Sequence, residues 1–207
     1  MSPQPMSVVP RFIQICGKVQ KSYASFHGHP VPVVPDDWKS AVEKSLSTTK
    51  SYPITFEWFK PQGDIIKGTL VRSTGSAKIW ISEKETVCWQ RFIALKELSH
   101  LLIDEPNQYT TKPTNLMGQL IQSVPIWAIK RDADQSEEAF LSEKLAVMSA
   151  MEMILPWKHR GVVTEMFTRG KDNLEIAKHF KAPQNMVSNL LSITYSGLST
   201  YCNINCR

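Results

Sequence analysis

"RFIALKELSHLLID", residues 91–104, is the stretch whose reading decides the fold. At 3.6 residues per turn, Lys96, Glu97, His100 and Asp104 gather within one arc of about a third of a turn. Leu95, Leu98, Leu101, Leu102 and Ile103 take up the rest of the circumference. A surface helix carries a narrower apolar stripe than this. The pattern therefore predicts a mostly buried helix whose few polar side chains face a cleft.

The order of those polar residues has chemical meaning. In a zinc-peptidase helix, two histidines four apart bind the metal from one face, and the glutamate beside the first acts as general base on the metal-bound water. Here Glu97 and His100 stand in register for the glutamate and the second histidine, and Lys96 occupies the place of the first. An ammonium has no lone pair. Lys96 could ligate only after losing its proton from a pKa of about 10.4, at a cost of several kcal/mol.

Outward from this helix, the chain changes texture several times. Residues 11–26 read as a first helix, and "GHPVPVVP" (28–35) as an extended loop, because proline fixes φ and removes a donor. Asp36 or Asp37 is expected to cap a second helix carrying Trp38, Ala41, Val42 and Leu46 at helical spacing. "ITFEWF" (54–59) alternates and is rich in β-formers. "IIKGTLVR" (65–72) and "AKIWIS" (77–82) flank the turn sequence "STGS" and predict a β-hairpin. Residues 105–130, punctuated by Pro106, Pro113 and Pro125, read as irregular. A long helix is expected from about Gln135 to Leu155, stopped by Pro156. Two or three short helices follow, and a turn-rich tail begins at Ser196. The expected organisation is an N-terminal helical segment (1–51), a core (52–157) and a helical extension with its tail (158–207).

Taken with "EKLAVMSAMEMILP" (143–156), the quoted helix resembles the ImmA/IrrE family of intracellular zincin-like peptidases. That family shows an arginine–phenylalanine pair, then H-E-x-x-H, and later E-x-x-A-N-x-F-A-x-x-L-L-M-P, whose glutamate is the third zinc ligand. Arg91 and Phe92 match the pair. Glu143 matches the glutamate, and Ala146, Ala150, Ile154, Leu155 and Pro156 match the closing pattern. The departures are Lys96 for histidine, Ser99 for glycine, Val147 for asparagine and Ser149 for phenylalanine. The resemblance covers roughly residues 52–195. It implies an α+β, zincin-like fold, mostly helical, with a small sheet beside the site helix and a helical C-terminal extension. It also implies a regulatory role on a protein partner, a phage- or stress-type transcriptional repressor of the Xre-like kind. An extended partner segment would join a sheet edge, for which Ala77, Lys78, Ile79, Trp80 and Ile81 form the expected strand.

Three functions fit this pattern. In the favoured one, the site is degenerate and binds without cutting: Lys96 pairs with Glu97, Glu143 or Asp104, its charge replaces that of the metal, and no cofactor is required. In the second, an active metallo-endopeptidase holds zinc or manganese through His100, Glu143 and Asp104, with Glu97 as base; one nitrogen and two carboxylates suit either ion. In the third, residues 171–193 form a DNA-binding helix-turn-helix. Its second helix offers Gln184, Asn185, Ser188 and Asn189 but no arginine, so packing is the better expectation.

Composition narrows the field less. The 207 residues carry a net charge of +5 and a sequence pI of about 9.0, with the basic residues scattered rather than blocked. Such a chain accepts an acidic partner without demanding nucleic acid. No apolar run is long enough to cross a bilayer. Cys16, Cys88, Cys202 and Cys206 form no C-x-x-C pair, which fits a reducing, cytoplasmic setting. Cys88 reads as a buried small hydrophobe. His27, His29, His159 and His179 do not stand at ligand spacing.

Overall fold

A computed structural model describes residues 32–47, 51–63, 66–104, 116–121, 128–131, 133, 135–156 and 159–191, together with Gly17 and Lys21. The helix expected over 11–26, the tail, His27, His29 and three of the four cysteines lie outside the described residues, Gly17 and Lys21 apart.

The described chain is an α+β fold, mostly helical, with one three-stranded sheet. Helix α1 spans Pro35–Leu46. Pro35 sits at its start, where the missing N–H costs nothing. Val34 is the N-cap and gives no side-chain bond, so Asp36 and Asp37 are not caps. They lie in the first turn, where carboxylates complement the helix dipole. Trp38 drives its ring fully into the core and donates its indole N–H to the Met153 carbonyl at 3.2 Å.

Three strands follow: β1 (Ile54–Phe59), β2 (Gly68–Ser73) and β3 (Ser76–Ser82). β2 and β3 form the expected hairpin, closed by a turn in which Gly75 takes φ +84°. β1 pairs with β3 in parallel, Ile54 opposite Ala77, so the spatial order is β1-β3-β2. This corrects the expected edge. Ala77, Lys78, Ile79, Trp80 and Ile81 lie in the central strand, hydrogen-bonded on both sides. The physical reason is burial: the inward residues Ala77, Ile79 and Ile81 are all apolar, and the centre of the sheet buries them most completely. The edges are β1 and β2.

Helix α2 (Val87–Ile103) lies across the sheet, and α4 (Glu137–Ile154) packs along it. Ser136 caps α4 by accepting the Ala139 N–H, and the chain turns away at Pro156. Between them a short helix, α3 (Leu116–Ile121), interrupts the segment expected to be irregular. Three small helices close the described chain: α5 (Arg160–Thr168), α6 (Asn173–Phe180) and α7 (Gln184–Leu191). α6 opens on a capping box between Asp172 and Glu175.

One continuous apolar core runs from Val33 through Ile79, Leu95 and Ala146 to Phe180 and Leu190. All three expected segments contribute to it. Arg91 ties them further, its guanidinium donating to the Val33 and Lys181 carbonyls.

β2 comes unusually close to α2 at Gly68. A Cβ there would overlap Ile93 Cγ2 and lie 3.2 Å from Glu97 Oε1. Ile93 is fully buried and β-branched, so it cannot swing aside. Gly68→Ala should therefore destabilise the protein by about 1–3 kcal/mol through overpacking. Equilibrium urea unfolding of the two forms measures it; an unchanged midpoint would mean the strand can move away from the helix.

Candidate functional site

The polar arc of α2 is buried, not solvated. Lys96, Glu97 and His100 are 5%, 3% and 6% exposed. Burying three ionisable groups on one helix is costly unless each is paired. They are paired in a row. Lys96 Nζ lies 2.9 Å from Glu97 Oε1 and 3.0 Å from Glu143 Oε2. Glu143 Oε1 lies 3.3 Å from His100 Nε2, an ion-pair contact without hydrogen-bond alignment. His100 Nδ1 lies 3.1 Å from both carboxylate oxygens of Asp104. An ionised carboxylate only accepts, so Nδ1 carries the proton. Asp104 in turn accepts 2.8 Å from Arg72 Nη2 and from the Ser142 hydroxyl. The same Arg72 nitrogen donates to the His100 carbonyl, 2.8 Å away.

The elements make this row possible. Helix α2 places Lys96, Glu97 and His100 on one face, with Asp104 at its C-cap. Glu143 reaches across from α4, and the tight α2–α4 packing needs small residues at the contact: Ser99, Ala146, Ser149 and Ala150 are all fully buried. Arg72 comes from β2, on the face that also carries Gly68 and Leu70. The row alternates in sign: Arg72, Asp104, His100, Glu143, Lys96, Glu97.

Alternation sets the protonation states. Burial alone would push the Lys96 ammonium down, but the Glu143 and Glu97 carboxylates outweigh it and hold Lys96 well above the ordinary lysine range. Burial likewise opposes His100 protonation. Glu143 and Asp104 overcome both that and the repulsion from Lys96, raising His100 to about 9. Burial would raise Glu143, yet Lys96 and His100 together hold it well below the usual carboxylate range. At neutral pH Lys96 and His100 therefore hold their protons and Glu143 has lost its own, so Lys96 is charged rather than available as a ligand.

The structure brings Lys96, Glu97, His100 and Glu143 together. Asp104 belongs to the same row but to the other side of the imidazole: it meets Nδ1, whereas Glu143 faces Nε2. The two carboxylates do not face one ion, so the ligand set His100, Glu143 and Asp104 is not assembled as expected. The reason is that Asp104 already serves Arg72, Ser142 and Nδ1. Among the described residues, no group of three or more histidine, cysteine, aspartate or glutamate side chains is arranged to hold a metal ion. Nor is any described helix long and apolar enough to cross a membrane.

Arg72 and Ser142 escaped the sequence reading. Arg72 had a signal, being a cation at an inward position of an alternating strand; Ser142 had none. The other candidates lie elsewhere. His179 is exposed with its ring edge-on to Phe180. Cys88 is half-buried, not buried, because it sits in the first turn of α2. Of the 171–193 segment, the described residues 171–191 form two short helices around a left-handed Lys181. Its polar residues are largely committed internally: Asn185 donates to the Ile121 carbonyl, Asn189 to the Asn185 carbonyl, and Asn173 to Ser188.

No protein-family model matches the chain, and a search of curated protein sequences returns no match.

The row makes stability pH-dependent in a defined direction. His100 is raised above its ordinary 6.5, so its contribution is complete below about pH 6.5 and is lost as pH rises through about 9. Glu143 is depressed, so its contribution is present above about pH 4.5 and is lost on acidification. Unfolding free energy should thus be highest between about pH 4.5 and 6.5 and fall by about 1–3 kcal/mol towards pH 10. Urea titrations across that range measure it. In His100→Gln the alkaline fall should flatten, and a slope identical to wild type would remove His100 as its cause.

Proposed function

We propose that the chain is an ImmA/IrrE-like regulatory protein with a zincin-like fold that engages a protein partner without cleaving it. The partner expected from the resemblance is an Xre-like transcriptional repressor of phage or stress-response type. The observation that carries the reading is the ammonium of Lys96, seated 2.9 and 3.0 Å from the carboxylates of Glu97 and Glu143. In the family pattern those two carboxylates are the general base and a metal ligand. Here both lie against one covalently attached cation.

Charge arithmetic supports the substitution. Lys96 and protonated His100 together contribute two positive charges, the same as one divalent ion. With Arg72 they balance Glu97, Glu143 and Asp104 one for one. A metal entering this row would have to displace a proton from His100 and overcome repulsion by Lys96 and Arg72.

The partner-binding edge moves with the sheet order. β2 now takes the role first given to β3: among the described residues its outer side pairs with no other strand, and its inner face meets the row at Gly68 and Arg72. An extended segment of the repressor would add there by strand pairing.

The test is metal content. Wild-type protein, dialysed against zinc or manganese and analysed for bound metal, should hold far less than one ion per chain. Lys96→His supplies a second nitrogen one helical turn before His100, completing a set of two histidines and Glu143, and should raise uptake towards one zinc per chain. One metal ion per wild-type chain, lost in His100→Ala, would overturn the non-cleaving reading in favour of a metallo-endopeptidase.

A further inference from the structure

The row does not end at α2. Its last cation comes from an edge strand of the sheet, and that strand touches the row twice. At Gly68 a Cβ would overlap Ile93 Cγ2 and lie 3.2 Å from Glu97 Oε1, so β2 has no room for a side chain there. Four residues on, Arg72 spans from β2 to the C-terminal end of α2, where one guanidinium nitrogen bonds both the His100 carbonyl and the Asp104 carboxylate. Both positions face inward by strand alternation. The outer side of β2 pairs with no described strand.

We infer that Arg72 is a positioning residue: it holds Asp104 against the Nδ1 edge of His100 and so makes the open sheet edge and the buried row one mechanical unit. Each link is a contact between groups that are largely shielded from water. The Arg72 side chain is 21% exposed and that of Asp104 is 6% exposed. Asp104 has two oxygens to divide among Arg72, Ser142 and the imidazole. Arg72 takes Oδ2, Ser142 takes Oδ1, and Nδ1 lies between the two. Without the guanidinium, the carboxylate can rotate about its Cβ–Cγ bond, and the imidazole loses its fixed acceptor. Arg72 also gives the His100 carbonyl a second donor, beside the Asp104 backbone N–H that closes the final turn of α2. On the non-cleaving reading proposed above, a strand seated on β2 would act on the row through this residue.

The Nδ1–H proton of His100 is the direct readout. In histidine-selective nitrogen–proton spectra, the wild-type protein should show a downfield, slowly exchanging Nδ1–H. Arg72→Gln should abolish that signal through rapid exchange while the amide resonances of α6 and α7 stay in place, and Arg72→Lys should restore it. Retention of the signal in Arg72→Gln, or loss of the α6 and α7 resonances together with it, overturns a positioning role. The wild-type chain gives a check that needs no substitution: the Arg72 Nη protons should appear as separate, slowly exchanging resonances, and averaged, fast-exchanging ones would refute the clamp even if Arg72→Gln failed to fold. A second arm uses zinc. In the Lys96→His background, adding Arg72→Gln should weaken zinc binding roughly 10- to 100-fold, as expected for a group that orients a metal-binding histidine. A change below about twofold counts against positioning. If Lys96→His binds no zinc at all, the functional reading falls and the proton spectra decide Arg72 alone.

Discussion

A single ammonium, that of Lys96, is the constraint around which the rest of the molecule is arranged. It bridges carboxylates from two different helices, Glu97 on its own and Glu143 across the α2–α4 contact. Without it, two carboxylates would face each other in a region shielded from water, together with a histidine that could satisfy only one of them. Removing one partner from a buried ion pair costs about 3–5 kcal/mol, mainly because the other charge is left uncompensated. Replacing a whole pair by apolar groups is often neutral or better. The row is thus a weak argument for stability as such. It is a stronger argument for specificity, since only one register of α4 on α2 puts Glu143 opposite Lys96.

Packing and electrostatics depend on each other here. Glu143 reaches the row because small side chains let the two helices approach, and the Ser99 hydroxyl lies on the Leu95 carbonyl and, across the contact, 3.6 Å from Met153 Sδ. The sheet contributes in the same way, with glycine rather than a side chain where β2 crosses Glu97. A second buried pair, Glu152 with Arg160, fastens the end of α4 to α5. Close backbone approach and buried charge therefore occur in the same places, and each restricts what the other can tolerate.

Much of this was legible in the sequence because the strongest patterns are local. The period of residues 91–104 located α2 and its C-terminal end to within one residue, and Pro156 marked the stop of α4. The hairpin followed from β-formers on either side of a glycine turn. Strand order was not legible, because alternation fixes which face a residue takes but not which strand lies beside which. Asp36 and Asp37 look like caps until Pro35 is placed at the helix start. Asp104 shows the same limit at the site. Its spacing from His100 placed the two on one face of the helix, but spacing does not say whether they share an ion or meet each other, nor which ring nitrogen is met, and the answer depends on Arg72, thirty-two residues earlier. The resemblance to a peptidase family rests on those same local spacings.

The reach of the core along the chain bears on how the protein can be made. Val33 and Leu190 belong to one apolar cluster, and the Arg91 guanidinium is held by the carbonyl of Lys181, ninety positions later. On a ribosome the strands and α2 emerge long before α6 and α7, which supply Ile176, Phe180 and Met186 to that cluster. During that interval the apolar cluster is incomplete. Synthesis at about 5–20 residues per second leaves it open for several seconds, time in which chaperones or premature self-association compete for the same surface. Codon choice and translation speed between α2 and α7 therefore bear on yield, and a chain cut short before α6 would leave bare the part of the cluster that Ile176, Phe180 and Met186 fill in the finished protein.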